Sequence, residues 1–316
     1  MITLEDAITQ EDAITLEDLT KIYNKCKNLK GGKNADYIPE LAKVNPHLFA
    51  ISICTVNGLK FNVGDYKKEI AIESVSKVFN LALALKELGS ATLKKKIGTA
   101  HSNQSFNSIQ AVITHTLHTI NSFDNGGAMA TVSLLYNSNQ KLLEKKMYDN
   151  ICDFAGRKLN FNEKVYHSEI GNLDQNLSIA YLLKHYNRFY APDVMRTVQA
   201  YTRMCSVNAT SADLAVMAAT LANNGVNPLT LERCLPKTLV PYIIDHMVKN
   251  GMYTESPEWH DRIGLPAKSG VGGAIIMVVP GVMGIAIVSP PLNKAGNSFK
   301  GSKAAILLSD KIREQA

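Results

Sequence analysis

The chain has few of the residues that build metal sites, disulfide frameworks or base-stacking platforms. Its five cysteines, Cys26, Cys54, Cys152, Cys205 and Cys234, are an odd set with no Cys-x-x-Cys pair. That argues against a disulfide framework and fits a reducing compartment. No zinc-ligand spacing is present. His115 and His118 stand three apart, but no Glu or third ligand is near them, so no metal is expected. One Trp among sparse aromatics argues against a platform for single-stranded nucleic acid. No apolar run reaches the roughly 18 residues that a membrane span needs. The first residues are acidic and mixed polar, without the basic and apolar regions of a signal peptide. Absence of both makes the cytoplasm the expected location.

What is present describes a globular protein of 316 residues with 46% hydrophobic and 20% charged side chains. That length suffices for one large domain or two modest ones. The net charge is +6, but the lysines are scattered. The densest clusters, Lys94-Lys95-Lys96 and Lys145-Lys146, read as solvated helix ends. No nucleic-acid partner and no membrane partner is expected.

Residues 3–18 hold a short repeat of Glu-Asp-Ala-Ile-Thr, too short for a solenoid. It reads as an amphipathic lead into a helix over 19–29, so residues 1–29 form an amino-terminal extension. Apolar, β-rich stretches at 49–56 and 59–63 flank Asn57-Gly58, a hairpin signal. A helix is predicted over 74–88, ending at Gly89. From about 106 to 250 the pattern is helical, best at 126–136, 142–155, 176–188, 193–204, 211–223 and 236–249, with Gly156, Gly225 and Gly251 as end caps. A second hairpin follows at 272–279 and 282–288, around Pro280-Gly281, and a last helix at 301–314. This order predicts an α+β fold. One antiparallel sheet takes its halves from 45–70 and 264–290, with terminal helices packed on it. A helical subdomain, about 90–260, is inserted between the halves within a domain spanning 30–316.

The chemistry is carried by Ser74-Val-Ser-Lys77 at the front of an apolar run, together with Lys268-Ser269-Gly270 before a glycine-rich strand. On a helix, positions three apart share a face, so the Lys77 amine is expected beside the Ser74 hydroxyl. Serine is a weak nucleophile until a base takes its proton, and burial or another cation can lower a lysine's pKa enough for that task. A helix start also offers free N–H groups to developing negative charge. A second Ser-x-x-Lys, Ser138 to Lys141, has no core-forming run directly behind it and reads as a surface turn. Ser-x-x-Lys with Lys-Ser-Gly marks serine acyl-transfer enzymes of the β-lactamase and penicillin-binding type.

Blocks spread along the chain sharpen this. They include Ala35-Asp-Tyr-Ile-Pro-Glu-Leu-Ala42, Glu73-Ser-Val-Ser-Lys-Val78, Asn121-Ser-Phe-Asp-Asn-Gly-Gly-Ala128, His167-Ser-Glu169 with Asp174-Gln-Asn176, Asn250-Gly-Met-Tyr253 and Gly264 through Gly273. In this order, from about residue 30 to 310, the chain resembles the serine-dependent glutaminases of the β-lactamase-like fold, both the bacterial enzymes and the core of the kidney type. The resemblance implies hydrolysis of L-glutamine to L-glutamate and ammonia, no cofactor, and a homodimer or homotetramer. It implies Ser74 as nucleophile and Lys77 as its base. Tyr37, Asn125, Glu169, Asn176 and Tyr201 would hold the substrate's amino and carboxylate groups. Tyr253 would assist proton transfer, and the N–H groups of Val271 and Ser74 would form the oxyanion hole. Elementary chemistry agrees: an ammonium needs the charged acceptor that Glu169 supplies, and a carboxylate needs donors such as Asn and Tyr. Lys268 is expected to add positive potential that keeps Lys77 neutral.

The chain departs from the family pattern in three places. Asn121-Ser-Phe-Asp-Asn-Gly-Gly-Ala128 lacks the usual proline and gains a second glycine, which is expected to loosen the loop carrying Asn125. His101-Ser-Asn103 replaces a Pro-Ser-Gly. Gln175 replaces an arginine. These departures leave open a related amidohydrolase, a β-lactam-like acyl donor, or a non-catalytic binding protein.

Overall fold

The computed structural model describes residues 14–114 and 117–315. Residues 1–13 of the amino-terminal repeat, and His115, lie outside the described residues. Eight strands follow in chain order: β1 Ala50–Thr55, β2 Lys60–Gly64, β3 Ile70–Ala71, β4 Asn160–Phe161, β5 Val207–Ala209, β6 Ala267–Gly270, β7 Ala274–Val279 and β8 Met283–Val288. Five of them make one antiparallel sheet in the order β2-β1-β8-β7-β6. The Asn57-Gly58 hairpin is β1–β2 and the Pro280-Gly281 hairpin is β7–β8. They join through β1 and β8, with Ile51 opposite Ile287 and Ile53 opposite Ile285, so the two ends of the chain build one sheet.

Both faces of this sheet are covered, which is why β1, β7 and β8 are buried along their whole length. On one face Ile51, Ile53, Ile275, Met277, Ile285 and Ile287 pack against the terminal helices Leu16–Cys26 and Phe299–Arg313. On the other, Ala50, Cys54, Ile276, Val278, Ala286 and Val288 meet helix Ser211–Ala222 of the inserted block. Each fully buried aliphatic side chain contributes roughly 1.5–3 kcal/mol, so the central strands anchor both layers. The Ser52 and Ser211 hydroxyls are hydrogen-bonded across that interface at 2.8 Å.

The inserted helices include Asn125–Leu134, Gln140–Ala155, Asp174–His185, Val194–Cys205 and Val240–Asn250, close to the predicted bounds. Gly156 caps its helix in the left-handed region, whereas the helix before Gly225 has already ended at Ala222, and Gly251 closes its helix with φ −72°. The helix after Ser74 runs on to Lys96 with a break at Gly89 (φ +75°). A small sheet, β3-β5-β4, and the helix Glu163–Ile170 were not anticipated. Among the lysine clusters, Lys145 pairs with Asp149, Lys146 with Glu87, and Lys96 covers the Tyr190 ring. No helix among the described residues is long and apolar enough to cross a membrane.

Candidate active site

The site lies where the edge of the sheet meets the helical block. One 3-10 turn, Glu73–Val75, leads into helix Ser76–Lys96 and packs beside β6. This turn holds Ser74, which is 7% exposed. The hairpin turn 271–273 between β6 and β7 closes over it. Gly272 is required there, because a side chain would run into the Ala71 carbonyl oxygen just ahead of the turn. Val271 is thereby held in the wall facing Ser74.

Lys77 is fully buried. Its Nζ donates to the Phe123 carbonyl at 2.8 Å and to Asn125 Oδ1 at 2.7 Å. The simple helical expectation put this amine in partnership with the Ser74 hydroxyl. Ser74 sits in the tighter turn ahead of the α-helix, and two of the hydrogen bonds of the lysine amine go to the segment 123–125. Burial lowers the Lys77 pKa to about 8 against the opposing pull of nearby acidic groups, Asp124 and Glu73 among them.

Lys268 corrects one expectation. It is wholly buried and donates to the Ser269 carbonyl at 2.6 Å and the Gly251 carbonyl at 3.3 Å, with its Nζ 4.4 Å from the centre of the Tyr253 ring. Burial, then the charge of Lys77, push it well below the usual lysine range. Lys268 is not among the groups that depress Lys77; desolvation of Lys77 itself does that. Burial also lifts Asp124 to about 6, with Lys77, the Ser102 hydroxyl and Lys268 pulling it down.

Asn125 opens helix Asn125–Leu134 rather than sitting in a loop. Ser122 stands where the family has its proline, and Asn121 organises the preceding turn. Its Oδ1 accepts from the Phe123 and Asp124 amides at 2.8 and 2.9 Å. Gly127 lies where a side chain would collide with the Asn121 carbonyl, whereas a methyl group at Gly126 would meet only ordinary contacts with Ile179 and Leu183. Asn125 Nδ2 donates to Asn176 Oδ1 at 2.9 Å. Gln175, in place of the usual arginine, donates to the Asn107 carbonyl at 2.8 Å and ties helix Asp174–His185 to the cavity wall.

These residues enclose a cavity of about 120 Å³. Tyr37, Ser74, Asn125, Glu169, Asn176, Tyr201 and Val271 all line it. Tyr253 stands at its rim, in a second, wider cleft of about 680 Å³ that shares Tyr37, Phe106 and Val271 with the first. The Tyr253 hydroxyl donates to the Ser269 carbonyl at 3.2 Å and lies in hydrogen-bond reach of the Ser74 hydroxyl. Burial raises its pKa, as it does those of Tyr37 and Tyr201. Glu73 and Tyr253 both hold positive φ, +51° and +55°, a strained geometry that clusters at functional sites. Ser138 and Lys141 are exposed, beside the Asn139 cap of helix Gln140–Ala155.

Sequence reasoning missed Glu73, Phe106 and Cys205 in the cavity wall. For Glu73 the signal was its adjacency to Ser74. Phe106 and Cys205 look like ordinary core residues until the fold brings them here.

The two-faced sheet, the helical insertion and the cleft between them place the chain in the β-lactamase-like class of α+β folds. Within that class the sequence profile of the glutaminase family matches residues 32–315. A glutaminase of Colwellia psychrerythraea is 43% identical over 93% of this chain and 94% of its own. A solved structure of a probable glutaminase is 38% identical with a TM-score of 0.93, covering 97% of this chain and 98% of that one. The crystal structure of Mglu in its glutamate form is 33% identical with a TM-score of 0.89, covering 94% of this chain and 68% of that one. The chain belongs to the glutaminase family.

Proposed function

We propose that the chain hydrolyses L-glutamine to L-glutamate and ammonia through an acyl-enzyme on Ser74. The observation that carries this reading is the cavity itself. It is a small, partly enclosed pocket of about 120 Å³, with a serine on one wall and the polar side chains of Glu169, Asn125, Asn176 and Tyr201 around the rest.

The α-ammonium of glutamine pairs with Glu169, and its carboxylate takes donors from Asn and Tyr side chains. The side-chain amide then meets Ser74. A neutral lysine amine has two N–H bonds and one lone pair. Lys77 places its N–H bonds on Phe123 O and Asn125 Oδ1, which leaves the lone pair to accept the Ser74 proton. Attack of Ser74 Oγ on the amide carbon makes a tetrahedral oxyanion, stabilised by the N–H groups of Ser74 and Val271. Collapse breaks the C–N bond. The leaving nitrogen takes a proton by way of Lys77 and the Tyr253 hydroxyl and departs as ammonia. Water then attacks the ester, releases glutamate and returns a proton to Ser74. The wider cleft beside Tyr253 is the route in and out. A homodimer or homotetramer is part of this reading, on the strength of the family resemblance; sedimentation tests the oligomer.

The test is ammonia release from L-glutamine, N-acetylglutamine and L-asparagine, beside hydrolysis of a chromogenic β-lactam. Turnover of free glutamine alone is expected, because the blocked form lacks the ammonium and asparagine misplaces the amide. Equal kcat/KM for free and blocked glutamine, or β-lactam turnover in place of glutamine turnover, would contradict the proposal.

A further inference from the structure

Glu73 immediately precedes Ser74, yet its side chain belongs to the far wall of the cavity. The residue is 3% exposed and adopts φ +51° in the 3-10 turn, a conformation that persists only when the surroundings enforce it. Its carboxyl faces that of Glu169, which arrives from helix Glu163–Ile170. The Oε1 atoms of both are shielded from solvent, and no N–H or O–H group donates to either. The two carboxyls lie within hydrogen-bond reach of each other. Ionised carboxylates only accept hydrogen bonds, so two of them in contact require a proton between them.

The groups around the pair offer little to offset a double negative charge. Tyr201 and Cys205, on helix Val194–Cys205, and Tyr253 face it, and burial raises the pKa of each and favours the neutral form; the half-exposed Tyr37 stands beside them, its pKa raised as well. Among the described residues Lys77 is the one amine whose charge is felt there, and it is turned towards Phe123 and Asn125.

We propose that Glu73 and Glu169 share one proton while the cavity is empty, and that the α-ammonium of glutamine replaces that proton on binding. This rests on the reading that the cavity takes glutamine as a zwitterion. The proton passes to solvent. Before binding the pair carries one net negative charge. After binding two carboxylates face one ammonium, and the net charge of the subsite is the same. The buried site thus recognises a cation without ever holding two uncompensated anions. Burial raises both carboxyls, and the charge of Glu169 raises Glu73 further, while the contact with Glu73 partly offsets the rise of Glu169 to about 8, so the pair keeps its proton at neutral pH until substrate displaces it. Glu73 thereby becomes a specificity residue for the free amino group.

The test uses the Ser74→Ala chain, which binds glutamine without consuming it. L-Glutamine is titrated calorimetrically at about pH 7 in two buffers of different ionisation enthalpy, and the affinity is followed from about pH 6 to about pH 8. The expected result is release of close to one proton per glutamine and about tenfold tighter binding per pH unit. Adding Glu73→Gln should abolish the release and flatten the pH dependence, because the amide donates to Glu169 and leaves it ionised. Glutamine binding without proton release overturns the shared proton and leaves the glutamine reading intact. Unchanged release in the double variant overturns the role of Glu73. No glutamine binding by the folded Ser74→Ala chain overturns the glutamine reading and this inference with it. The proton count in Ser74→Ala stands without any change at Glu73.

Discussion

Lys77 Nζ donates to Asn125 Oδ1 at 2.7 Å, and Asn125 Nδ2 donates in turn to Asn176 Oδ1 at 2.9 Å. The proposed base and two proposed substrate contacts are therefore one hydrogen-bonded chain. Asn125→Asp tests that linkage. A carboxylate beside the Lys77 amine stabilises its charged form, so the pH at which kcat reaches half its plateau should rise by about 1 unit or more. Asn176→Ala, one link further out, should raise KM for glutamine while shifting that midpoint little. Equal, purely KM effects from both variants would show that Asn125 does not tune the base.

The pH profile of the unmodified chain follows from Lys77. Its proton must leave before it can accept that of Ser74, and burial sets its pKa to about 8. The sign is fixed: below this value the amine is charged and kcat falls, and above it kcat levels off. A profile of kcat against pH should rise with a midpoint near 8. Lys77→Met should abolish the limb and reduce kcat nearly as far as loss of Ser74, since residues that act as a unit are not additive. A kcat that declines as pH rises through 7 to 9 would contradict the assignment.

Gly272 lies against the Ala71 carbonyl. Gly272→Ala should push the 271–273 turn away from Ser74 and weaken the oxyanion contact. A loss of about 10²-fold or more in kcat is expected, with glutamine affinity nearly unchanged. Steady-state kinetics beside a binding titration will show it. Full activity in this variant would remove Val271 from the oxyanion hole.

The second Ser-x-x-Lys is a control. Ser138→Ala and Lys141→Ala change exposed side chains at a helix start, so kcat/KM should be unchanged and stability should move by less than about 0.5 kcal/mol. Loss of activity here would mean that the wrong pair carries the chemistry.

Much of the architecture was legible because strong local signals agreed with the fold. Asn57-Gly58 announced one hairpin and Pro280-Gly281 the other, and their apolar strands had to pair to be covered on both faces. The small sheet escaped notice because β3, β4 and β5 are two or three residues long, below any periodic window. Helix Glu163–Ile170, which carries Glu169, buries little besides Val165 and so leaves almost no apolar rhythm. The site residues were legible as blocks of sequence, but their physics was not. Spacing alone put the Lys77 amine beside Ser74, and only the packing of helix Asn125–Leu134 shows where its hydrogen bonds go. Lys268 read as a helpful cation until its complete burial became visible. Glu73 passed as a neighbour of the serine, because nothing in a linear sequence shows that a side chain at φ +51° faces a glutamate 96 positions away.

The central claim is that Ser74 is the nucleophile. The measurement that bears on it most directly is kcat for ammonia release from glutamine by Ser74→Ala, made on protein shown by titration to bind glutamine. The account predicts a fall of about 10⁴-fold or more with binding retained. Turnover within tenfold of the unmodified chain would contradict it.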